Sequence, residues 1–212
     1  AFGITFPSLP FAGTMIMAVI FAFLSLIIIL ALAFKLDYSL SPTTLILIGV
    51  ILSRFVSSVM SIIVTFAADR IQSITFWTMG SLQNANYKNA AVLGITVLVC
   101  GLILKKYATE LNAFAVGEDN ARHVGVDVKK TKLVVLICVS IMIGVCVSIG
   151  GTIDFVGLVT PHMVRMIVGP NHHSLIPASA FGGAVFLMLA ALIARIILNP
   201  MEIPIGVVPS LV

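Results

Sequence analysis

Apolar residues fill this chain in long, nearly unbroken runs. They neither alternate as on a half-buried strand nor recur every three or four positions as on a helix with one wet face. Runs that are apolar all round belong to segments surrounded by a nonpolar medium, and about 20 such residues let a helix cross the hydrocarbon layer. The pattern predicts crossing helices over residues 11–34, 45–68, 90–104, 133–153 and 175–198. A shorter helix is predicted over 155–168. At 1.5 Å per residue it would be about 21 Å long, so it is expected to be broken or buried in protein. "NPMEIPIG" then turns the chain, and another apolar run begins at Val207.

The punctuation between the runs is polar. Ser41-Pro42-Thr43-Thr44 is a helix-start signal, with a hydroxyl to cap the first turn and a proline suited to its first position. Residues 69–89 form a longer loop that holds "IQSITFWTMG"; Trp77 and Tyr87 suit a membrane interface. Pro177 interrupts the last span.

Composition agrees with the pattern. The chain is 60% hydrophobic and 9% charged, against roughly 25% charged in a soluble domain. One removable signal peptide would not spread apolar runs over the whole length. The fold class expected is an all-α polytopic membrane protein.

Charge sets the orientation. Six of the 12 Lys and Arg residues lie in 105–132, and loops rich in Lys and Arg stay in the cytoplasm. Alternation then puts 1–10, 69–89, Asp154 and 199–204 outside, and 35–44 and 169–174 inside. No basic face on a soluble fold offers itself to nucleic acid. The basic residues are too interrupted by acids to read as a polybasic lipid site. Cys100, Cys138 and Cys146 all fall in apolar runs and read as buried free thiols. Cys138 and Cys146 would be about 12 Å apart along one helix, too far for a disulfide.

Four features carry candidate chemistry. The first is Arg54, deep in the second span, where a charge is costly and faces a cavity or a partner. Ser53, Ser57, Ser61 and Thr65 recur every four residues, and Ser58 follows Arg54 by four, so all share one side of a helix. The serines alone suit close helix packing, with hydroxyls bonded back to carbonyls. With Arg54 among them, a water-accessible pathway is the stronger reading.

The second is "AVGEDNARHVGVDVKKTK". Glu118, Asp119 and Arg122 share one side of a short helix, with Glu118 and Arg122 an i,i+4 pair, and Gly125 ends it. It is either an amphipathic helix that enters a partner's cleft or a solvated loop; spacing alone favours the loop.

The third is "FVGLVTPHMVRMIVGPNHH". His162 and Arg165 share a helix side, but no converging ligands make a metal site. There is no H-E-x-x-H, and no Ser or Cys is paired with a base. No catalytic residue, metal or cofactor is expected, and an intramembrane enzyme is the weakest class. His162 and Arg165 are expected to hold helix ends by hydrogen bonds. The fourth is Arg195, near an external end and seven residues before Glu202: a snorkelling anchor or a docking contact.

Together these segments resemble a known family. "GTIDFVGLVTPHMVRMIVGPNHH" and "LIPASAFGGAVFLMLAALIARIILNPMEIPIGVV" are similar to the FecCD/BtuC-type permease subunits of bacterial ABC importers for ferric siderophores, haem and vitamin B12. "FWTMGSL" and "GEDNARHVGV" resemble two further motifs of that family, in order. The resemblance implies a BtuC-like bundle of ten transmembrane helices. Residues 1–212 would then be a single transmembrane permease domain holding about six to seven of the ten, without the first three and most of the last.

The resemblance also implies roles. Glu118, Asp119, Ala121, Arg122 and Gly125 match the cytoplasmic coupling helix that seats in an ATP-binding subunit. The helix from Leu45, with Ser53, Arg54, Ser57, Ser58, Ser61 and Thr65, matches one lining the translocation pathway. Ser41 and Thr43 match the cytoplasmic gate, and Arg195 a docking contact for an extracytoplasmic substrate-binding protein. Gly157, Pro161, His162 and Arg165 belong to the structural signature.

The chain departs from the pattern at Asn171-His172-His173, where the family often has Asp-His-Arg, and at Ala190-Ala191, where an acid is common. The implied partners are ATP-binding subunits, the binding protein, a second permease subunit (a homodimer) and the lipid of the inner membrane. The chain has no G-x-x-x-x-G-K-[ST] loop, so ATP hydrolysis would belong to a separate subunit. The alternative is a secondary transporter or channel with Arg54 or Asp154 as the ion-coupling site.

Overall fold

The computed structural model describes residues 10–36, 41–66, 78–82, 86–197 and 205–206. The helices among them are α1 (Pro10–Leu36), α2 (Pro42–Phe66), α3 (Tyr87–Lys106), α4 (Ala108–Phe114), α5 (Glu118–His123), α6 (Val128–Gly150), α7 (Val156–Val168) and α8 (His172–Ile197). Five of them, α1, α2, α3, α6 and α8, are long and apolar enough to cross a membrane. This is the all-α polytopic architecture expected.

The predicted spans are present and mostly longer. α3 has 20 residues because its polar ends, Tyr87-Lys88-Asn89 and Lys105-Lys106, continue the helix into the solvated zone. α8 runs through Pro177 without a break. That proline lies in the second turn and removes one hydrogen bond there.

The short helix α7 differs more. It has 13 residues, stays continuous through Pro161, and only Thr160 is buried. It is neither broken nor enclosed: α8 covers one side, while Leu158, Met166 and Ile167 point outward.

Lipid supplies no hydrophobic drive between helices, so they associate where small residues let backbones approach. α1 packs along α6, α3 on α6, α7 on α8, and α2 on α1. A Cβ at Gly144 of α6 would come within 3.0 Å of Val19 Cα on α1. One at Gly182 of α8 would lie 2.8 Å from Val164 Cγ2 on α7. α2 has a single buried residue, Ile48, which meets Ala33, Ile29 and Leu30 of α1. Large apolar side chains such as Ile27, Phe55, Leu102 and Ile196 face outward.

The two ends of the bundle differ in kind. Cys138 of α6 lies beside Cys100 of α3, and both thiols are buried. The antiparallel pair therefore brings Lys105 and Lys106 to the same end as Lys129 and Lys130. α4 and α5 lie at this basic end, the cytoplasmic one by the positive-inside rule. All three cysteines are free, but Cys146 is exposed rather than buried.

The opposite end is a knot of main chain. Ser81 N–H donates to Gly150 O (2.9 Å) and Gly206 N–H to Met79 O (3.2 Å). The Thr152 hydroxyl donates to Thr78 O. Gly80 adopts φ +74, and a Cβ there would lie 2.7 Å from Thr152 O. Three loops far apart in sequence thus meet through backbone atoms.

Candidate functional site

The polar stripe exists as spacing predicted. Ser53, Arg54, Ser57, Ser58, Ser61 and Thr65 are all exposed on α2. Arg54 lies about 18 Å along the helix from its start at Pro42, near its middle. A shallow groove of about 400 Å³ runs past Ile46, Gly49, Val50, Ser53, Arg54 and Ser57.

Three of the five hydroxyls bond back along the helix. Ser58 Oγ–H bonds to Arg54 O (3.0 Å), Ser61 to Ser57 O (3.0 Å) and Thr65 to Ser61 O (2.9 Å). Each proton is spent on the carbonyl four residues back, so what these hydroxyls turn outward is lone pairs. Arg54 is the positive charge in the row. The row faces outward, with three of its hydroxyls bonded back along the helix.

At the start of the same helix Ser41 is the cap. Its carbonyl accepts from Leu45 N–H (3.1 Å), and its hydroxyl lies 2.8 Å from Thr44 Oγ1. Thr43 is exposed in the first turn.

The charged segment folds as a short helix, not as a solvated loop. α5 has six residues. Ala121 is buried beneath it, and Gly125, at φ +87, lies just past its end. The expected Glu118–Arg122 pair is replaced by two others. Arg122 Nη1 meets Asp119 Oδ1 at 3.4 Å, and Glu118 is taken by Lys132 of α6 at 2.7 Å. Glu118 occupies the first helical position, where its side chain reaches back toward α6 rather than along about one turn of its own helix. Asp119, Arg122 and His123 remain on the exposed side.

The third polar group was missed in sequence. Asn112 Oδ1 accepts from His172 N–H (2.8 Å) and lies 2.7 Å from His172 Nδ1. Asn112 Nδ2–H donates to Asn171 Oδ1 (3.0 Å), which also accepts from His173 N–H (3.1 Å). Thr109 Oγ1 lies 3.2 Å from His173 Nε2. The helix end is fastened by His172 and His173, not by His162 and Arg165, which lie exposed on α7. An asparagine ahead of a helix is a cap signal, so Asn171 was readable; its partner 59 residues away was not.

Among the described residues, no three His, Cys, Asp or Glu side chains converge as metal ligands. Asp154 is exposed in the loop between α6 and α7, outside any span, which removes one of the two residues offered as an intramembrane ion site. Arg195 is exposed in the last turn of α8, next to buried Ala194. Trp77 and Glu202 lie outside the described residues.

Residues 1–212 match the family described as the FecCD transport family. The chain belongs to that family. It is 35% identical over 210 residues to the cobalamin import system permease protein BtuC of Halobacterium salinarum, covering 99% of this chain and 56% of that protein. It is 33% identical over 168 residues to the hemin transport system permease protein HmuU of Yersinia pestis, covering 79% and 50%. It is 32% identical over 202 residues to the molybdate import system permease protein MolB of Haemophilus influenzae, covering 94% and 59%.

A solved structure described as an inward-facing conformation of a metal-chelate type ABC transporter superposes with a TM-score of 0.78. It has 34% identity and covers 86% of this chain and 59% of that one. The FecCD-family chain thus spans about half to three fifths of the length of the relatives it matches. With five helices able to cross a membrane, it is a multi-pass protein of the inner membrane.

Proposed function

We propose that this FecCD-family chain belongs to the permease subunit of an ATP-driven importer that moves an iron chelate, haem, cobalamin or a related metal-containing anion by alternating access. The observation that carries the reading is its identity of 32–35% with three proteins described as import or transport permeases for cobalamin, haemin and molybdate.

On this reading α5 seats in a separate ATP-binding subunit through its exposed Asp119 and Arg122, while buried Ala121 and paired Glu118 hold the helix from behind. The α2 stripe lines the pathway, Ser41 and Thr43 form its cytoplasmic gate, and Arg195 docks a substrate-binding protein. A second permease subunit covers the open side of α2. The two states exchange only because ATP and the loaded binding protein have different affinities for them.

The experiment is uptake by the full-length protein in vesicles with its ATP-binding and substrate-binding partners. The panel is cobalamin, haem, a ferric catecholate and molybdate. One cargo should accumulate only with ATP and binding protein together. Accumulation driven by an ion gradient without ATP would sink the importer reading and favour a secondary transporter.

A further inference from the structure

The first turn of α8 is capped partly from outside itself. A helix start leaves its first N–H groups without intrahelical partners. Here Asn171, the residue before the helix, takes the His173 N–H (3.1 Å). The His172 N–H goes instead to Asn112 of α4, a residue 60 positions earlier (2.8 Å). The same oxygen holds the His172 ring, and the Asn112 amide donates to the Asn171 oxygen (3.0 Å), so the two caps are locked together. Thr109, one turn earlier on α4, lies 3.2 Å from the His173 ring. α4 and α8 are therefore joined by directional bonds at two levels.

α4 in turn is tied to α5. Ala115, Val116 and Gly117 donate N–H bonds back to Asn112, Ala113 and Phe114 at 3.0–3.2 Å, and Ala121 N–H donates to Gly117 O (3.0 Å). Asn120 Nδ2–H adds a bond to Val116 O (2.8 Å). The connection is a run of turns with its hydrogen bonds made, so α5 and α4 move as one piece. At the other end of α8, about 35 Å from His172 at 1.5 Å per residue, stands Arg195.

We propose that Asn112 is a positioning residue for transport: it transmits movement of the α5 region to α8, and so links the cytoplasmic end of the chain to the end that bears Arg195. This rests on the importer reading, in which α5 meets the ATP-binding subunit and Arg195 faces the binding protein. Asn112 touches neither partner. Its effect runs through α8, whose first turn it holds. A hydrogen bond with directional geometry at a helix start is suited to this, because α8 is stiff and a tilt at one end displaces the other.

The test uses the full-length permease with its partners. Asn112→Ala removes the one backbone cap that α4 supplies, together with the bonds to the His172 ring and to Asn171. Basal ATPase activity should stay within twofold of the wild type, while stimulation by the loaded binding protein and cargo uptake fall at least fivefold. Asn112→Asp keeps the acceptor for both His172 donors and should restore most of the stimulation. Stimulation and uptake within twofold of wild type in a folded Asn112→Ala protein would overturn the proposal.

Hydrogen exchange supplies a readout that does not depend on transport. The amides of His172 and His173 should exchange about tenfold faster in Asn112→Ala, equivalent to about 1.4 kcal/mol of local opening. Unchanged protection there overturns the proposal whatever the uptake. If Asn112→Ala does not assemble, Thr109→Val provides the second variant, with an expected two- to threefold loss of stimulation relative to basal activity; no loss overturns it. A wild-type complex without ATPase stimulation by any binding protein, but with exchange changed as expected, refutes the importer reading and not the clamp.

Discussion

Lys132 Nζ of α6 lies 2.7 Å from one carboxylate oxygen of Glu118 and 2.8 Å from the other. Their side chains are 11% and 26% exposed, so water screens the pair less than a surface ion pair. Glu118 therefore stands between two jobs, since it sits on the presented helix yet points at its own scaffold. Glu118→Ala should loosen α5 by about 1.5–3 kcal/mol, the range for a hydrogen bond to a charged group. Proteolysis and hydrogen exchange over α5 would show it. A double-mutant cycle with Lys132→Met should give a coupling above about 0.5 kcal/mol; additivity would mean the pair contributes nothing.

Arg54 is the one cation on α2, in a row of hydroxyls of which Ser58, Ser61 and Thr65 are bonded back to the helix. On the importer reading it favours anionic cargo. Arg54→Gln in the full-length transporter should lower uptake of an anionic chelate about tenfold, or 1.4 kcal/mol, at matched expression. Unchanged uptake would remove Arg54 from the pathway and leave it a packing or anchoring residue.

At the outer end, Gly80→Ala should destabilise the full-length protein by about 1–3 kcal/mol. The positive φ alone costs about 1–2 kcal/mol for a residue with a Cβ, and the new atom would meet Thr152 O at 2.7 Å. Gly101→Ala is the control, because nothing lies within 4 Å of its Cβ position. Thermal unfolding in detergent should separate the two; equal midpoints would mean the knot does not constrain Gly80.

Thr160 is buried on α7, and its Oγ1 finds no hydrogen-bond partner among the described residues. Its methyl group faces Gly182 and Gly183 of α8. Thr160→Val keeps the shape and discards the unpaired hydroxyl. It should be neutral or stabilising by up to about 1 kcal/mol. A loss of more than that, measured by the same unfolding assay, would show that the hydroxyl is used.

Much of this was legible because it is local. The spans follow from run length, and the α2 stripe from a repeat of four on a helix of 3.6 residues per turn. The start of α2 follows from Ser41-Pro42. What was not legible depends on residues far apart in sequence. Glu118 was assigned to Arg122 because that partner lies on its own helix, yet a six-residue helix leaves its first side chain free to reach α6. His172 and His173 point apart, one to Asn112 and one to Thr109, yet both contacts are on α4, about 60 residues earlier in the chain. The exposed flank of α7 was misjudged because a short apolar helix says nothing about how many neighbours it has.

The outer knot has an evolutionary consequence. Among the described residues its bonds include those between main-chain groups of Ser81 and Gly150 and of Gly206 and Met79, and one from the Thr152 hydroxyl. Main-chain atoms are the same whatever residue carries them. The rim can therefore exchange side chains, and with them the partners it meets, while its shape is inherited intact. Only positions such as Gly80 and Gly206, where a Cβ would strike a carbonyl oxygen at 2.7 and 2.6 Å, are closed to such drift.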